Sequence, residues 1–548
     1  MGWRVHLPGI HAPAPNGLKT PPEVYNWHLL LLGLVASGGG IIFGYDLAFV
    51  SGVFSLPSFL SRFHLDAQSA SSLQTNVLAT FQAGAFFGVI FCYWFNERYG
   101  RRIALIMAGC IFNIGVIMQL AAHGNHAVFY VGRILSGFGV GASTFISPQY
   151  LSETSPPSGR GAVIGFFEIG IQVGSIVGFW INFGVNQHMN PKNDAQWMVP
   201  VSMQLVPVTV MIIGLAMLHE SPRWLYLKGK RSQSIKSLTW LRKLPQTHPY
   251  VAAELNDYER QMEHELDITT SSGFQAIWRE TFSKQVRFRL FIGCFMQILL
   301  NSTGVNALNY FIVTFFQSVG YTGTSVKLLA SGIYGIVKGS VVVVTYLLLV
   351  DRFGRRPLIF AGTVGIAFSM YYIAGFASIT DSFHSTPPPA ASKSAIAFIY
   401  LYGASYSLGW SFAFIIAAEI FPNRVRTFCM TWTTAFHWIG EFYTSYSVAF
   451  MLRNITYGTF LFYGSITVLG GVFVFFFVPE TNGMALEDMD ILFEAKGFAR
   501  QQMRTYREWK KSQQVVIEGK DVEQDEQGTD VGQTKDEAVT VIAEERKN

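Results

Sequence analysis

Charge is scarce in this chain, and so is cysteine. Of 548 residues only 14% are Asp, Glu, Lys or Arg, while 50% are hydrophobic and 15% aromatic. That apolar excess excludes an ordinary soluble enzyme of this length and points to a membrane class. The net charge of +5 is modest and gives no reason to expect a nucleic-acid partner. Four cysteines, Cys92, Cys110, Cys294 and Cys429, each fall in an apolar stretch. No pair has metal-ligand spacing or suggests a disulfide scaffold, so all four are read as small buried hydrophobes. A nucleophile–base motif, a metal cluster and a phosphate loop are all missing, so no enzyme, cofactor or metal is expected. Pro8, Pro13, Pro15, Pro21 and Pro22 interrupt the first 27 residues, which lack the apolar core of a signal peptide and read as a short cytosolic arm.

What the chain has instead is long hydrophobic runs. A bilayer core needs about 20 mostly apolar helical residues. Twelve segments qualify: 28–52, 75–95, 103–122, 128–149, 161–184, 198–218, 288–312, 327–350, 358–378, 396–419, 428–452 and 457–478. We number them spans 1 to 12. Only Arg62, Lys192, Lys327, Lys393 and Arg453 fall in loops on one side, and the remaining loops carry most of the Lys and Arg. This asymmetry places both termini in the cytosol.

Motifs recur between the two halves. Glu97-Arg98-Tyr99-Gly100-Arg101-Arg102 follows span 2, and Asp351-Arg352-Phe353-Gly354-Arg355-Arg356 follows span 8. Glu153 and Arg160 join spans 4 and 5 as Glu419 and Arg426 join spans 10 and 11. Glu220 after span 6 is echoed by Pro479-Glu480-Thr481 after span 12. The offsets, 254, 266 and 260 residues, mean a duplicated unit. The fold class is therefore an all-α integral membrane protein, with twelve transmembrane helices in two six-helix halves and a solute site between them. The expected organisation is an arm over 1–27, a half over 28–218, a cytosolic helical linker over 219–287, a second half over 288–478 and a cytosolic tail over 479–548. Within that tail, residues 495–548 are polar enough to be disordered.

These motifs resemble the sugar porter family of the major facilitator superfamily over about residues 25–495. Phe43-Gly44-Tyr45-Asp46, the two Arg-Arg loops, Gly132-Arg133, Pro148-Gln149-Tyr150-Leu151-Ser152-Glu153, Glu220-Ser221-Pro222-Arg223 and Pro479-Glu480-Thr481 carry the resemblance, in order. Val24-Tyr25-Asn26-Trp27 and the region from Gln196-Trp197 to Trp224-Leu225 are similar to the fungal quinate-permease branch. The resemblance implies a plasma-membrane carrier, acting as a monomer, whose partners are a small solute, a proton and the lipid bilayer. It also implies a cytosolic gate of Arg98, Arg102, Glu153, Arg160, Arg352, Arg356, Glu419 and Arg426, which ties helix ends together when that side is closed.

Asp46 lies well inside span 1. An ionised Asp at a helix centre costs about 2.5–3.5 kcal/mol, so it needs a partner, and Arg133 in span 4 is the obvious one. Proton symporters of the family have Asp at this position, which implies that Asp46 and Arg133 couple transport to a proton. Binding a polyhydroxylated solute takes amides and carboxylates for its hydroxyls and aromatics for its ring face. Gln297, Asn301 and Asn306 in span 7, with Trp410, Phe414 and Trp438, are the candidates. Several positions depart from the family pattern: Leu300 and Asn301 replace two glutamines, Glu168 replaces a glutamine, and Glu441 replaces an asparagine. Lys338 lies thirteen residues before Asp351, about 20 Å along span 8 and so near mid-membrane. Lys338 either meets a solute carboxylate or neutralises Glu168 and Glu441 around a neutral sugar or polyol, and both readings stand. A non-coupled facilitator and a sugar sensor are the alternative functions. Sensors of this family carry longer tails than the roughly 55 residues that follow Phe493 here.

Overall fold

Local chemistry starts and stops the helices of the computed structural model. It describes residues 20–156, 159–269, 273–318, 323–382, 389–422, 425–481, 488–494 and 497–510. Contacts divide the chain into two units, Met1–Met489 and Asp490–Asn548.

In the first unit, span 1 is Trp27–Ala36 continued by Gly38–Val53. The Asn26 side chain caps it, accepting from the N–H groups of His28 and Leu29. Span 2, Ala67–Tyr99, starts eight residues earlier than expected, because Asp66 and Ser69 form a capping box ahead of the apolar run. Spans 3 to 6 are Arg101–Leu120, His126–Thr154, Arg160–His188 and the pair Ala195–Ser202 and Leu205–Met217. Span 7 is broken into Lys284–Ser302 and Val305–Ser318. Gly304 makes the break possible with a φ of +87°, a value that only glycine adopts without strain. Span 8, Thr324–Val344, runs on into a wide turn at Thr345–Leu349. Span 9 is Arg355–Thr380. Span 10 is Pro389–Leu408 and, past a tight turn at Trp410–Phe412, Ala413–Glu419. Spans 11 and 12 are Arg426–Asn454 and Gly458–Phe477.

Every span but the eleventh is long and apolar enough to cross a membrane. Span 11 has the length, 29 residues, and turns Thr434, His437, Glu441 and Ser445 inward. The outward faces are apolar, with Phe87, Phe91, Trp94, Phe368, Phe450 and Leu469 exposed as lipid-facing side chains are. Cys110 is exposed on span 3 and corrects the expectation that all four cysteines are buried. In a membrane an apolar position need not face the core.

Span 1 packs on span 5, span 2 on span 4, span 3 on spans 4 and 6, and span 9 on spans 10 and 12. The halves meet where span 2 packs on span 11 and span 5 on span 8. Gly44 allows the closest approach of spans 1 and 5, since a Cβ there would lie 1.8 Å from the Ile171 carbonyl oxygen. Between the halves run Pro222–Leu227, Arg231–Arg242, Pro249–Thr269 and Gly273–Thr281. Arg242 ties this linker down through Glu254 at 3.0 Å and the Thr154 carbonyl at 2.9 Å. We call this face of the bundle the linker end.

In the second unit, residues 499–510 are helical, where the polar tail was expected to lack structure. Ala499, Gln502 and Tyr506 are buried at helical spacing, which gives the segment an inward face. The expected disorder of 511–548 lies outside the described residues.

Candidate functional site

Asp46 and Arg133 are both fully buried and face each other as a fork. Arg133 Nη1 donates to Asp46 Oδ1 at 2.6 Å, and Nη2 donates to Oδ2 at 3.2 Å. The guanidinium lies 4.1 Å from the Phe81 ring centroid. An aromatic face and a carboxylate together replace the water this cation has lost.

One turn before Asp46, Phe43 borders a cavity of about 30 Å³. That holds about two water molecules and is too small for a monosaccharide. Glu168, Asn306, Lys338 and Phe414 line it among the sequence candidates. Lys338 Nζ lies 3.5 Å from Asn309 Oδ1 and 5.5 Å from the Tyr406 ring centroid. Glu168 and Lys338 share the cavity without an ion pair within 4.0 Å, so neither charge is saturated by the other. The halves touch on both sides of the cavity. Gln149 Nε2 donates to Thr427 Oγ1 at 3.2 Å toward the linker end, and Gln74 Nε2 donates to the Tyr310 carbonyl at 2.8 Å on the opposite side.

The remaining solute candidates sit elsewhere. The span 10 turn carries Trp410 away from the cavity, where Nε1 donates to Thr363 Oγ1 at 3.0 Å. Trp438 donates to Thr144 Oγ1 at 3.4 Å and packs on Phe43, joining the two halves. Asn301 is used internally, donating to the Gln297 and His437 carbonyls and accepting from Asn306 Nδ2 at 2.7 Å. Gln297 is buried beside it, with Oε1 lacking a hydrogen-bond partner among the described residues. Glu441 is fully buried, accepting from the Tyr310 hydroxyl at 2.8 Å, and does not line this cavity. The cavity also takes in Gln172, Tyr406 and His437, which the sequence did not single out as solute contacts. Gln172 was findable as the residue one turn beyond Glu168. Tyr406 carries no signal that sets it apart from the other aromatics.

At the linker end the same arrangement is built twice. Arg101 grips Glu153 with Nε at 3.0 Å and Nη2 at 2.9 Å, and Arg355 Nη2 meets Glu419 at 3.2 Å. Ser221 donates its hydroxyl to Glu153 and Thr481 its hydroxyl to Glu419, each at 2.6 Å. Glu220 accepts from the N–H groups of Arg101 and Arg102, and Glu480 from those of Arg355 and Arg356. Gly100 and Gly354, at φ +100° and +86°, supply the turn and the close approach these carboxylates need. Burial pushes the Glu220 carboxyl above the usual carboxylate range, against the N–H donors that pull it down.

This geometry corrects the gate residues. The arginines that pair with Glu153 and Glu419 are Arg101 and Arg355, because each is the first residue of its helix after the glycine turn and points inward. Arg98 and Arg352 precede the turn, are exposed and stack on their neighbours Tyr99 and Phe353. Arg102 donates to the Leu215 and Ala216 carbonyls that end span 6, and Arg356 reaches the Phe475 carbonyl of span 12. Arg426 donates to the Phe421 carbonyl at 3.4 Å. Arg160 opens span 5, and its side chain lies outside the described residues.

Residues 32–493 match the family model described as "Sugar (and other) transporter". The chain belongs to this sugar transporter family. It is 38% identical over 486 residues to a probable quinate permease of Aspergillus niger, covering 87% of this chain and 90% of that one. It is 37% identical to the quinate permease of Emericella nidulans over the same shares. The proton:xylose symporter XylE, a major facilitator protein bound to 6-bromo-6-deoxy-D-glucose, superposes with a TM-score of 0.72 at 25% identity, covering 85% of this chain and 99% of that one. The inward-open form of XylE from E. coli gives 0.66 at 24%. The transporter is thus a multi-pass membrane protein of the major facilitator fold that moves a small solute, and not an enzyme.

Proposed function

We propose that the transporter takes up a quinate-like cyclic hydroxy-acid together with a proton, by alternating access of its two halves. The observation that carries the substrate reading is Lys338, 3% exposed, in the cavity without an ion-pair partner among the described residues. A buried ammonium is held at a cost unless something offsets it, and a solute carboxylate supplies the missing charge. The solute's hydroxyls then donate to Glu168 and bond to the amides of Gln172, Asn306 and Asn309. Phe43 and Phe414 cover its ring. The quinate permeases among the relatives support the same class.

Asp46 and Arg133 are the coupling pair in this reading. A proton reaching Asp46 removes one partner of the fork, frees Arg133 and lowers the cost of rearranging spans 1 and 4. The clamps at the linker end hold that side closed, and we place that side, with both termini, in the cytosol of a monomeric plasma-membrane carrier. Residues 28–218 and 288–478 move as the two halves. Glu168 beside Lys338 favours a second reading, a neutral sugar or polyol in a charge-balanced cavity. Uptake of labelled quinate and xylose by cells lacking their own carriers separates the two. Lys338→Met should abolish quinate uptake while the fold survives. Full quinate uptake by that variant would remove the carboxylate contact.

A further inference from the structure

Glu441 lies outside both the solute cavity and the Asp46–Arg133 fork, and its neighbour His437 borders the cavity with no role assigned so far. Glu441 is 0% exposed and accepts one hydrogen bond, from the Tyr310 hydroxyl at 2.8 Å. Its other oxygen, Oε2, lies 3.5 Å from His437 Nε2, and both atoms are buried without a hydrogen-bond partner among the described residues. His437 Nδ1 lies 3.1 Å from the Asn301 amide nitrogen, whose two hydrogens go to the Gln297 and His437 carbonyls, so Nε2 is the ring nitrogen that faces Glu441. Among the described residues no arginine or lysine reaches Glu441 within 4.0 Å, and Arg133 is already gripped by Asp46. A bare carboxylate with one hydroxyl for solvation is costly at this depth, whereas a carboxyl group or a Glu–imidazolium pair is not.

We infer that His437 and Glu441 form a second proton-binding site, distinct from Asp46 and electrostatically coupled to it. The loaded pair holds one proton more than the unloaded pair. Unloading leaves the Glu441 carboxylate and a neutral His437, and the proton passes to water on the side that opens. The groups facing Glu441 from neighbouring elements are Tyr310 of span 7, Asp46 of span 1 and Tyr406 of span 10, with Arg133 of span 4 reaching Asp46 and Tyr310, and Glu168 and Lys338 share the cavity that His437 borders. Span 2 presents Gln82 to the adjacent Ser445, and the first part of span 7 presents Asn301; neither titrates. Tyr310 sits within electrostatic reach of both acids and of Arg133, so the charge at one site is felt at the other. His437 also borders the solute cavity, and Phe43, three residues before Asp46, packs edge-on against its ring at 6.2 Å. The pair therefore joins the solute's environment to the fork. This inference rests on the proton-coupled reading only for the use made of the second proton, not for its presence.

The test needs no solute. Infrared difference spectra between acid and alkaline pH are recorded on the purified full-length protein in lipid nanodiscs. The wild type should show carboxyl bands from three core groups, Asp46, Glu168 and Glu441. Glu441→Gln should delete one of them and Asp46→Asn another, and Asp46→Asn should displace the pH at which the Glu441 band appears. A Glu441→Gln spectrum identical to wild type would overturn the inference, whatever Asp46→Asn does. Should Glu441→Gln fail to fold, His437→Asn keeps the carboxyl and should move its midpoint, and an unmoved midpoint would overturn the inference equally. Loss of the Glu441 band with no change in Asp46→Asn would keep the proton site but overturn its coupling to Asp46, and would remove Asp46 as the titrating group of the coupling pair.

Discussion

The two halves end alike and differ at their centres. At the linker end each has an arginine gripping a glutamate, a hydroxyl on the same glutamate and a second carboxylate over a helix start. At mid-membrane the N-terminal half holds an ion-paired fork, Asp46 with Arg133, and gives the cavity one carboxyl group, Glu168. The C-terminal half holds broken helices, Lys338 with no ion-pair partner among the described residues, and buried atoms of His437 and Glu441 without a hydrogen-bond partner there. Saturated charges fix a shape. Unsaturated ones are expensive to keep, and the solute and the protons proposed above would offset that cost.

The comparison breaks most sharply on stability. Arg133→Leu strands Asp46 in the core and should cost about 3–5 kcal/mol, read as a large fall in thermal unfolding temperature in detergent. Lys338→Met removes a charge with no ion-pair partner among the described residues and should leave that temperature unchanged or higher. If both variants fell equally, the distinction between saturated and spare charges would be wrong. The clamps come next. Glu153→Gln and Glu419→Gln each weaken charged hydrogen bonds worth about 1.5–3 kcal/mol. The effect should be larger at Glu153, 7% exposed, than at Glu419, 23% exposed, and the same assay reads it. Gly304→Ala forces a φ of +87° on alanine and brings its Cβ 2.9 Å from the Tyr463 ring. It should cost about 1–2 kcal/mol and slow transport measured by solute exchange. The smallest effect is at His219. Burial, then Lys236 and Arg102, lower its pKa below 6.5. The unfolded chain therefore takes up the proton first, and stability present above pH 6.5 is lost as pH falls below it. His219→Gln should flatten that acid limb of the unfolding temperature.

Much of this architecture is legible in the residues alone. Runs of about 20 apolar residues can only be helices in a bilayer, and three motif pairs at nearly one offset can only be a duplication. Azimuth is not legible there. Arg98, Arg101 and Arg102 look equivalent in sequence, and the Gly100 turn decides which one faces Glu153. Trp410 has the residue type for a solute contact, yet the span 10 turn sends it to Thr363. Glu441 follows His437 by one helical turn, and that turn separates a residue lining the cavity from one buried against Tyr310.

In the proposed cycle the Asp46–Arg133 fork couples solute movement to a proton. This coupling is tested most directly with Asp46→Asn in reconstituted vesicles, using labelled quinate in two assays on the same preparation. Acid-driven uphill accumulation should disappear while exchange across a vesicle with no gradient persists. Accumulation equal to wild type would contradict the account.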